Sequence, residues 1–286
     1  MQPFQEVANM PGGNSLTFER TDGPFGVIVH GIDWDNPGED EVMLLKQAFR
    51  RHLLVIFRGQ PSPSYEQKDR FFSRFGRVMT ETFDGTFHYE MFSRDEKAAI
   101  HRKTDGNYLV NGADGTSELI WHTDHFHKPQ LKTISVLEAL EFEKGAAPTQ
   151  YRDSYTAYEL LPADLRQRLE HKQAVYFDPR LPGPEVQPRM CDAMHPVFMT
   201  HPESGRHCLY IMDYTKRIVG MSLAESDALI AELRAFAEKY APFYSHDWEA
   251  GDLIMWDNIG LHHMRPEVRG NSARRILRQY EGVAEL

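Results

Sequence analysis

Only two cysteines, Cys191 and Cys208, occur among the 286 residues. That is too few for a disulfide framework or a cysteine-rich zinc site. Basic residues are outnumbered, 32 Lys+Arg against 42 Asp+Glu, for a formal charge of −10. A chain that displaces counterions from phosphate needs a basic face, so no nucleic-acid partner is expected. No apolar run approaches the roughly 20 residues that cross a bilayer, so no membrane span is expected either. The opening Met1-Gln-Pro-Phe-Gln-Glu6 lacks the basic flank and apolar stretch of a signal peptide, which points to the cytoplasm. Repeats and low-complexity tracts are also missing, which excludes solenoids and arrays. With 41% hydrophobic and 26% charged residues, the chain has the balance of a globular protein with a sizeable core.

Local patterns give an outline of the fold. Gly26–Val29 reads as a strand, Glu39–Arg51 as a helix with apolar Val42, Leu45, Ala48 and Phe49, and the apolar run His52–Phe57 as a buried strand. Ser62-Pro63 resembles an N-cap followed by proline at the first helical position, opening a helix through Phe75. Asn107–Val110 and Ile134–Ala139 read as strands, Gly112–Ser117 as a loop, and Tyr155–Leu161 and Pro162–Leu169 as short helices. Ser222 and Glu225 form a capping box for a helix reaching Tyr240. Leu253–Trp256 and Arg275–Tyr280 read as the last strands. Six of the 17 prolines fall within residues 176–205, a composition suited to an insertion that covers a site. Many strands with a few covering helices predict an α+β, mainly β protein with a jelly-roll core, forming a single domain over residues 1–286.

Histidine is plentiful, with 14 in the chain. In Trp121-His-Thr-Asp124, an extended backbone turns His122 and Asp124 to one side, giving one nitrogen and one oxygen ligand. A lone His-x-Asp is expected about once by chance in such a composition, and His88-Tyr-Glu90 and His201-Pro-Glu203 compete with it. Gly251–Asn258 reads as a strand feeding a turn that delivers His262 and His263. One of these could complete a 2-His-1-carboxylate triad, an arrangement that leaves open positions on iron(II). Arg274-Arg275-Ile-Leu-Arg278 follows, and an arginine fork can grip a carboxylate in bidentate fashion.

In this order, the motifs resemble the taurine/2,4-D dioxygenase family of iron(II)- and 2-oxoglutarate-dependent oxygenases. The likeness runs from Phe25–Asp33 through Leu54–Gln60, Trp121–Asp124, Thr156–Pro162 and Arg217–Gly220 to Trp248–His263 and the arginine strand. It implies a jelly-roll fold, Fe(II), 2-oxoglutarate as cosubstrate and O2. It also implies oxidation of an aliphatic C–H of a small molecule, by hydroxylation or desaturation, with release of succinate and CO2. The resemblance makes His122 and Asp124 two metal ligands. His263 is the third, because the family places its distal histidine five residues after the Asn of Trp-Asp-Asn. Thr149 stands where a threonine helps to hold 2-oxoglutarate, although Gly145-Ala-Ala-Pro-Thr149 departs from the family's Gly-Gly-Asp-Thr. The cosubstrate arginine is Arg275 by the arginine pair and Arg274 by strict spacing from His263. Only one of two adjacent strand residues can face the site, and Arg275 is chosen. The carboxylate at position 124 favours hydroxylation or desaturation over halogenation.

Two departures concern substrate. Gln279 replaces the arginine that grips a sulfonate in taurine-using relatives, which disfavours taurine. Glu118 replaces an asparagine four residues before His122, a change compatible with an amine or amino acid substrate. Relatives are often dimers or tetramers, so a homo-oligomer is compatible as well. The competing expectation is a metal-dependent hydrolase or isomerase on a similar barrel, with zinc held by His122, Asp124 and His127.

Overall fold

The computed structural model describes residues 5–9, 15–76, 108–110, 118–176, 193–267 and 275–282. Its largest sheet has eight strands, in the order β1 (Gln5–Asn9), β2 (Ser15–Arg20), β3 (Val27–His30), β4 (Leu54–Phe57), β15 (Leu253–Asp257), β7 (Ile134–Phe142), β17 (Arg275–Gly282) and β5 (Tyr108–Val110). All neighbours are antiparallel except β3 and β4. Helix α1 (Glu39–His52) makes that parallel connection and ends at Leu53, whose left-handed φ of 63° turns the chain into β4. A second sheet of four strands runs β14 (Phe243–His246), β8 (Thr149–Asp153), β16 (Leu261–Arg265) and β6 (Leu119–His122). Small sheets join β10 (Ala193–Pro196), β9 (Gln173–Tyr176) and β13 (Thr215–Ile218), and pair β11 (Phe198–Thr200) with β12 (His207–Leu209).

Period-two alternation decides where the core lies. On β4 and β15, Val55, Phe57, Leu253 and Met255 face one way, into a cluster with Val42, Leu45 and Phe49 of α1. Phe71, of α2 (Tyr65–Phe72), joins that cluster. Leu54, Ile56, Ile254 and Trp256 face the other way, into the space shared with Tyr151 and Leu261 of the four-stranded sheet. Both faces of β4 and β15 are therefore buried, which explains their unbroken apolar runs. The two facing sheets make the expected jelly-roll core. Helices α3 (Ser154–Leu160), α4 (Ala163–Leu169) and α5 (Leu223–Tyr240) complete the layers, with Leu229, Ile230 and Leu233 of α5 buried in the core shared by the two sheets. No helix among the described residues is long and apolar enough to cross a membrane.

One expected start shifts. The helix after Pro61 is capped by Ser64, not Ser62, because Ser64 and Gln67 close a reciprocal capping box. Of the expected insertion, residues 193–200 form β10 and β11, paired to β9 and β12, and 177–192 lie outside the described residues, as does the Gly112–Ser117 loop.

Candidate metal and cosubstrate site

His122 ends β6, Asp124 follows two residues later, and His263 lies opposite His122 on β16. One ligand atom from each of the three lies within 4.8 Å of the others, and no other such trio of His, Cys, Asp or Glu occurs among the described residues. Asp124 Oδ1 is 3.5 Å from His263 Nε2 and 4.0 Å from His122 Nε2. The carboxylate's other oxygen is already engaged. Oδ2 accepts from Ser135 Oγ at 2.6 Å and from Gln279 Nε2 at 3.1 Å. His122 Nδ1 lies 2.7 Å from the Ile120 carbonyl, which can only accept, so Nδ1 carries the proton and Nε2 keeps its lone pair. One nitrogen of each histidine and one carboxylate oxygen thus converge, with the lone pair of His122 Nε2 left free to coordinate.

Backbone contacts hold the triangle. Asn258 accepts from Asp124 N at 2.8 Å and donates to the carbonyls of Asp124 and Lys132, each at 3.0 Å. Asp257 Oδ1 accepts from the amides of Ile259 and Gly260, folding the turn that leads into β16. Trp-Asp-Asn is therefore a clamp. Its Asp shapes the turn that presents His263, and its Asn pins the loop that presents Asp124.

The electrostatics suit a cation. Burial, reinforced by the neighbouring His263, pushes the His122 imidazole down to about 4, so it is neutral near pH 7. Burial alone would raise Asp124, but the facing histidines and the Ser135 hydrogen bond outweigh it and hold the carboxyl well below its usual range. A neutral imidazole and an ionised carboxylate are the forms that bind a metal. His263 Nδ1 is buried without a hydrogen-bond partner among the described residues.

Further along the same face lies a cationic end. Arg275 is buried on β17 and donates from Nη2 to Thr149 Oγ1 at 2.9 Å. Trp248 Nε1 donates to the same oxygen at 3.0 Å. With both lone pairs taken, the Thr149 hydroxyl keeps its own proton to donate. Burial, and then the charge of Arg265, push Arg275 down to about 10, still cationic at neutral pH. Its Nε, the Tyr151 hydroxyl and Trp256 Nε1 are buried with no hydrogen-bond partner among the described residues. A buried guanidinium beside a committed hydroxyl donor fits a carboxylate.

Of the residues expected from sequence, His122, Asp124 and His263 come together, and Thr149 pairs with Arg275. Arg274 lies outside the described residues. His262 pairs across strands with Arg152, and burial, then Arg152, push its imidazole down to about 3. His127 does not join the trio and packs edge-on against Phe126. Glu118 is exposed. Ser135, Trp248 and Tyr151 were not anticipated at the site. The alternation of Ile134–Ala139 and of Thr149–Tyr151 was the available signal, since it sets every second side chain on the inner face.

A model of the family described as taurine catabolism dioxygenase TauD, TfdA family, matches residues 17–280. The chain belongs to this family. Like other TauD, TfdA members, it is a 2-oxoglutarate-dependent dioxygenase, an oxidoreductase acting on a small molecule with O2 and a metal. It is 29% identical to pentalenolactone F synthase of Streptomyces avermitilis, over 89% of this chain and 89% of that protein. It is 28% identical to the alpha-ketoglutarate-dependent 2,4-dichlorophenoxyacetate dioxygenase of Cupriavidus pinatubonensis, over 85% and 88% of the two chains. The fold matches the crystal structure of a taurine dioxygenase from Burkholderia xenovorans with a TM-score of 0.72 at 24% identity, covering 95% of this chain and 90% of that one. The zinc hydrolase or isomerase alternative finds no support in these comparisons.

Proposed function

We propose that this TauD, TfdA-family dioxygenase binds Fe(II) through His122, Asp124 and His263 and oxidises an aliphatic C–H of a small molecule, releasing succinate and CO2 from 2-oxoglutarate. The observation that supports the ligand assignment is the cluster of one ligand atom from each of the three residues, all within 4.8 Å of one another, with Oδ2 of Asp124 tied away by Ser135 and Gln279. Three protein donors on one face suit iron(II), because positions for a chelating cosubstrate and oxygen stay open. When bound, the iron supplies the activation of O2 that is coupled to oxidative decarboxylation of the keto acid. The protein's share is placement. Arg275 and Thr149 hold the distal carboxylate of 2-oxoglutarate, which aims the keto-acid end at the histidines. The buried walls contributed by Trp256 and Tyr151 exclude water from that end.

The finer substrate reading is an amine or amino acid. It is supported by the Glu118 carboxylate near the start of β6 and by the neutral Gln279 where a sulfonate-gripping arginine would stand. Relatives named for 2,4-dichlorophenoxyacetate and sulfate esters mark the acidic alternatives.

Anaerobic Fe(II) with 2-oxoglutarate should give a weak visible charge-transfer band, and admitting oxygen should release succinate. His122→Ala and His263→Ala should abolish that release, while His262→Ala keeps most of it. Equal loss at His262 and His263 would overturn the ligand assignment. Mass spectrometry over a panel of amines, amino acids and carboxylic acids tests the substrate class. Products confined to acids without an amine would refute the finer reading.

A further inference from the structure

Tyr151 is fully buried on β8, two residues after Thr149 and opposite His263 in the register with β16. Strand alternation and cross-strand pairing set Thr149, Tyr151 and His263 on one face. The Tyr151 ring packs against Trp256 and His263, at centroid distances of 5.6 and 6.2 Å. Phenylalanine would meet that packing need equally well. The hydroxyl is nevertheless present and buried, without a hydrogen-bond partner among the described residues. A buried hydroxyl left unpaired is costly, and natural interiors rarely keep one that no ligand uses. Nε of Arg275, whose guanidinium bonds Thr149 two residues before Tyr151, is in the same condition.

We propose that Tyr151 is a third cosubstrate anchor, its hydroxyl donating to the distal carboxylate of 2-oxoglutarate beside Arg275 and Thr149. The proposal rests on the 2-oxoglutarate reading given above. Thr149, two residues before Tyr151 and on the same face of β8, accepts from Arg275 Nη2 at 2.9 Å, which sets Tyr151 on the strand face that carries the cationic end of the site. A phenol keeps its proton near neutral pH and can donate to a carboxylate. A carboxylate offers about four lone-pair positions, enough for a guanidinium fork, a threonine hydroxyl and a phenol together. The assignment also gives the hydroxyl a purpose that the fold alone does not.

Tyr151→Phe removes one oxygen and keeps the ring. Binding to the Mn(II)-loaded full chain is measured by calorimetry without turnover, using 2-oxoglutarate and 2-oxobutyrate, which lacks the distal carboxylate. The variant should weaken 2-oxoglutarate about tenfold or more, as for a hydrogen bond to a charged group. It should leave 2-oxobutyrate within about twofold, and its thermal midpoint should not fall, because the lost hydroxyl has no hydrogen-bond partner among the described residues. Unchanged 2-oxoglutarate affinity in the variant, with normal binding by the parent, overturns this proposal alone. Equal weakening of both keto acids also overturns it, since that marks a deformed site. Failure of the parent protein to bind 2-oxoglutarate overturns the cosubstrate reading along with it.

Discussion

Asp124, a proposed metal ligand, has its carboxylate oriented by its neighbours. A free carboxylate can rotate and offer either oxygen, or both. Here Ser135 and Gln279 take Oδ2, leaving Oδ1 toward His263 and His122. Such supporting hydrogen bonds orient a ligand and sharpen metal affinity. Ser135→Ala should therefore weaken Mn(II) or Fe(II) binding about tenfold to a hundredfold, and Gln279→Leu, which loses the longer contact, by less. Metal titration by calorimetry or Mn(II) magnetic resonance reads this directly. Affinities equal to the parent's in both variants would show that the carboxylate is oriented by the backbone clamp alone.

At the level of elements, the turn between β15 and β16 does most of the positioning. Gly260 sits there because a Cβ would lie 1.8 Å from the Tyr155 ring, and that ring cannot withdraw: it is fully buried, and its hydroxyl holds Asp257 at 2.6 Å. Gly260→Ala should cost about 1–3 kcal/mol, the usual penalty for forcing atoms into a packed interior. It should appear as a lower denaturation midpoint at unchanged slope, with weaker metal binding because His263 moves. A variant with the parent's midpoint would mean that the turn relaxes freely. This region also shows what the sequence could and could not reveal. The Trp-Asp-Asn turn and the His-x-Asp pair are local patterns, and local patterns can be read along a chain. Ser135, Trp248 and Tyr151 meet their partners only through the register between strands far apart in sequence, for example His263 opposite Tyr151, and no single-chain periodicity encodes that register. The start of α2 slipped for a local reason: two serines compete, and the reciprocal bond from Gln67 decides for Ser64. Arg275 is chosen over Arg274 from the family's arginine pair, alternation saying only that one of the two can face the site, and its partner Thr149 lies 126 residues away.

Across the whole molecule, one polar network joins the two sheets beside Thr149, which stands opposite His246 in the register of β8 and β14. Arg58, just past β4, donates to Asp252 from Nε at 2.8 Å and from Nη2 at 2.6 Å. Asp252 lies just before β15 and is fully buried. It also faces His246 Nε2 at 3.0 Å on β14, whose Nδ1 meets the Tyr244 hydroxyl at 3.1 Å. Burial pushes His246 below its usual range despite the neighbouring carboxylate, so the imidazole folds in its neutral form. Burial works to raise Asp252, but the bonds from Arg58 and His246 prevail and hold it low. Both depressed groups act in the same direction. Below about pH 6.5 the unfolded histidine takes a proton that the folded one refuses, so stability falls with acidification at up to about 1.4 kcal/mol per pH unit. The Asp252 contribution is complete above the ordinary carboxylate range and drains away as pH falls through its lowered folded value. His246→Gln keeps a side chain that can donate to Asp252 but cannot titrate. Urea unfolding between pH 6.5 and 5 should then show a shallower pH dependence than the parent, by up to about 1.4 kcal/mol per unit, whatever its stability at pH 7. Parallel curves for the two proteins across that window would mean that His246 is not a group whose protonation loosens the join between the sheets.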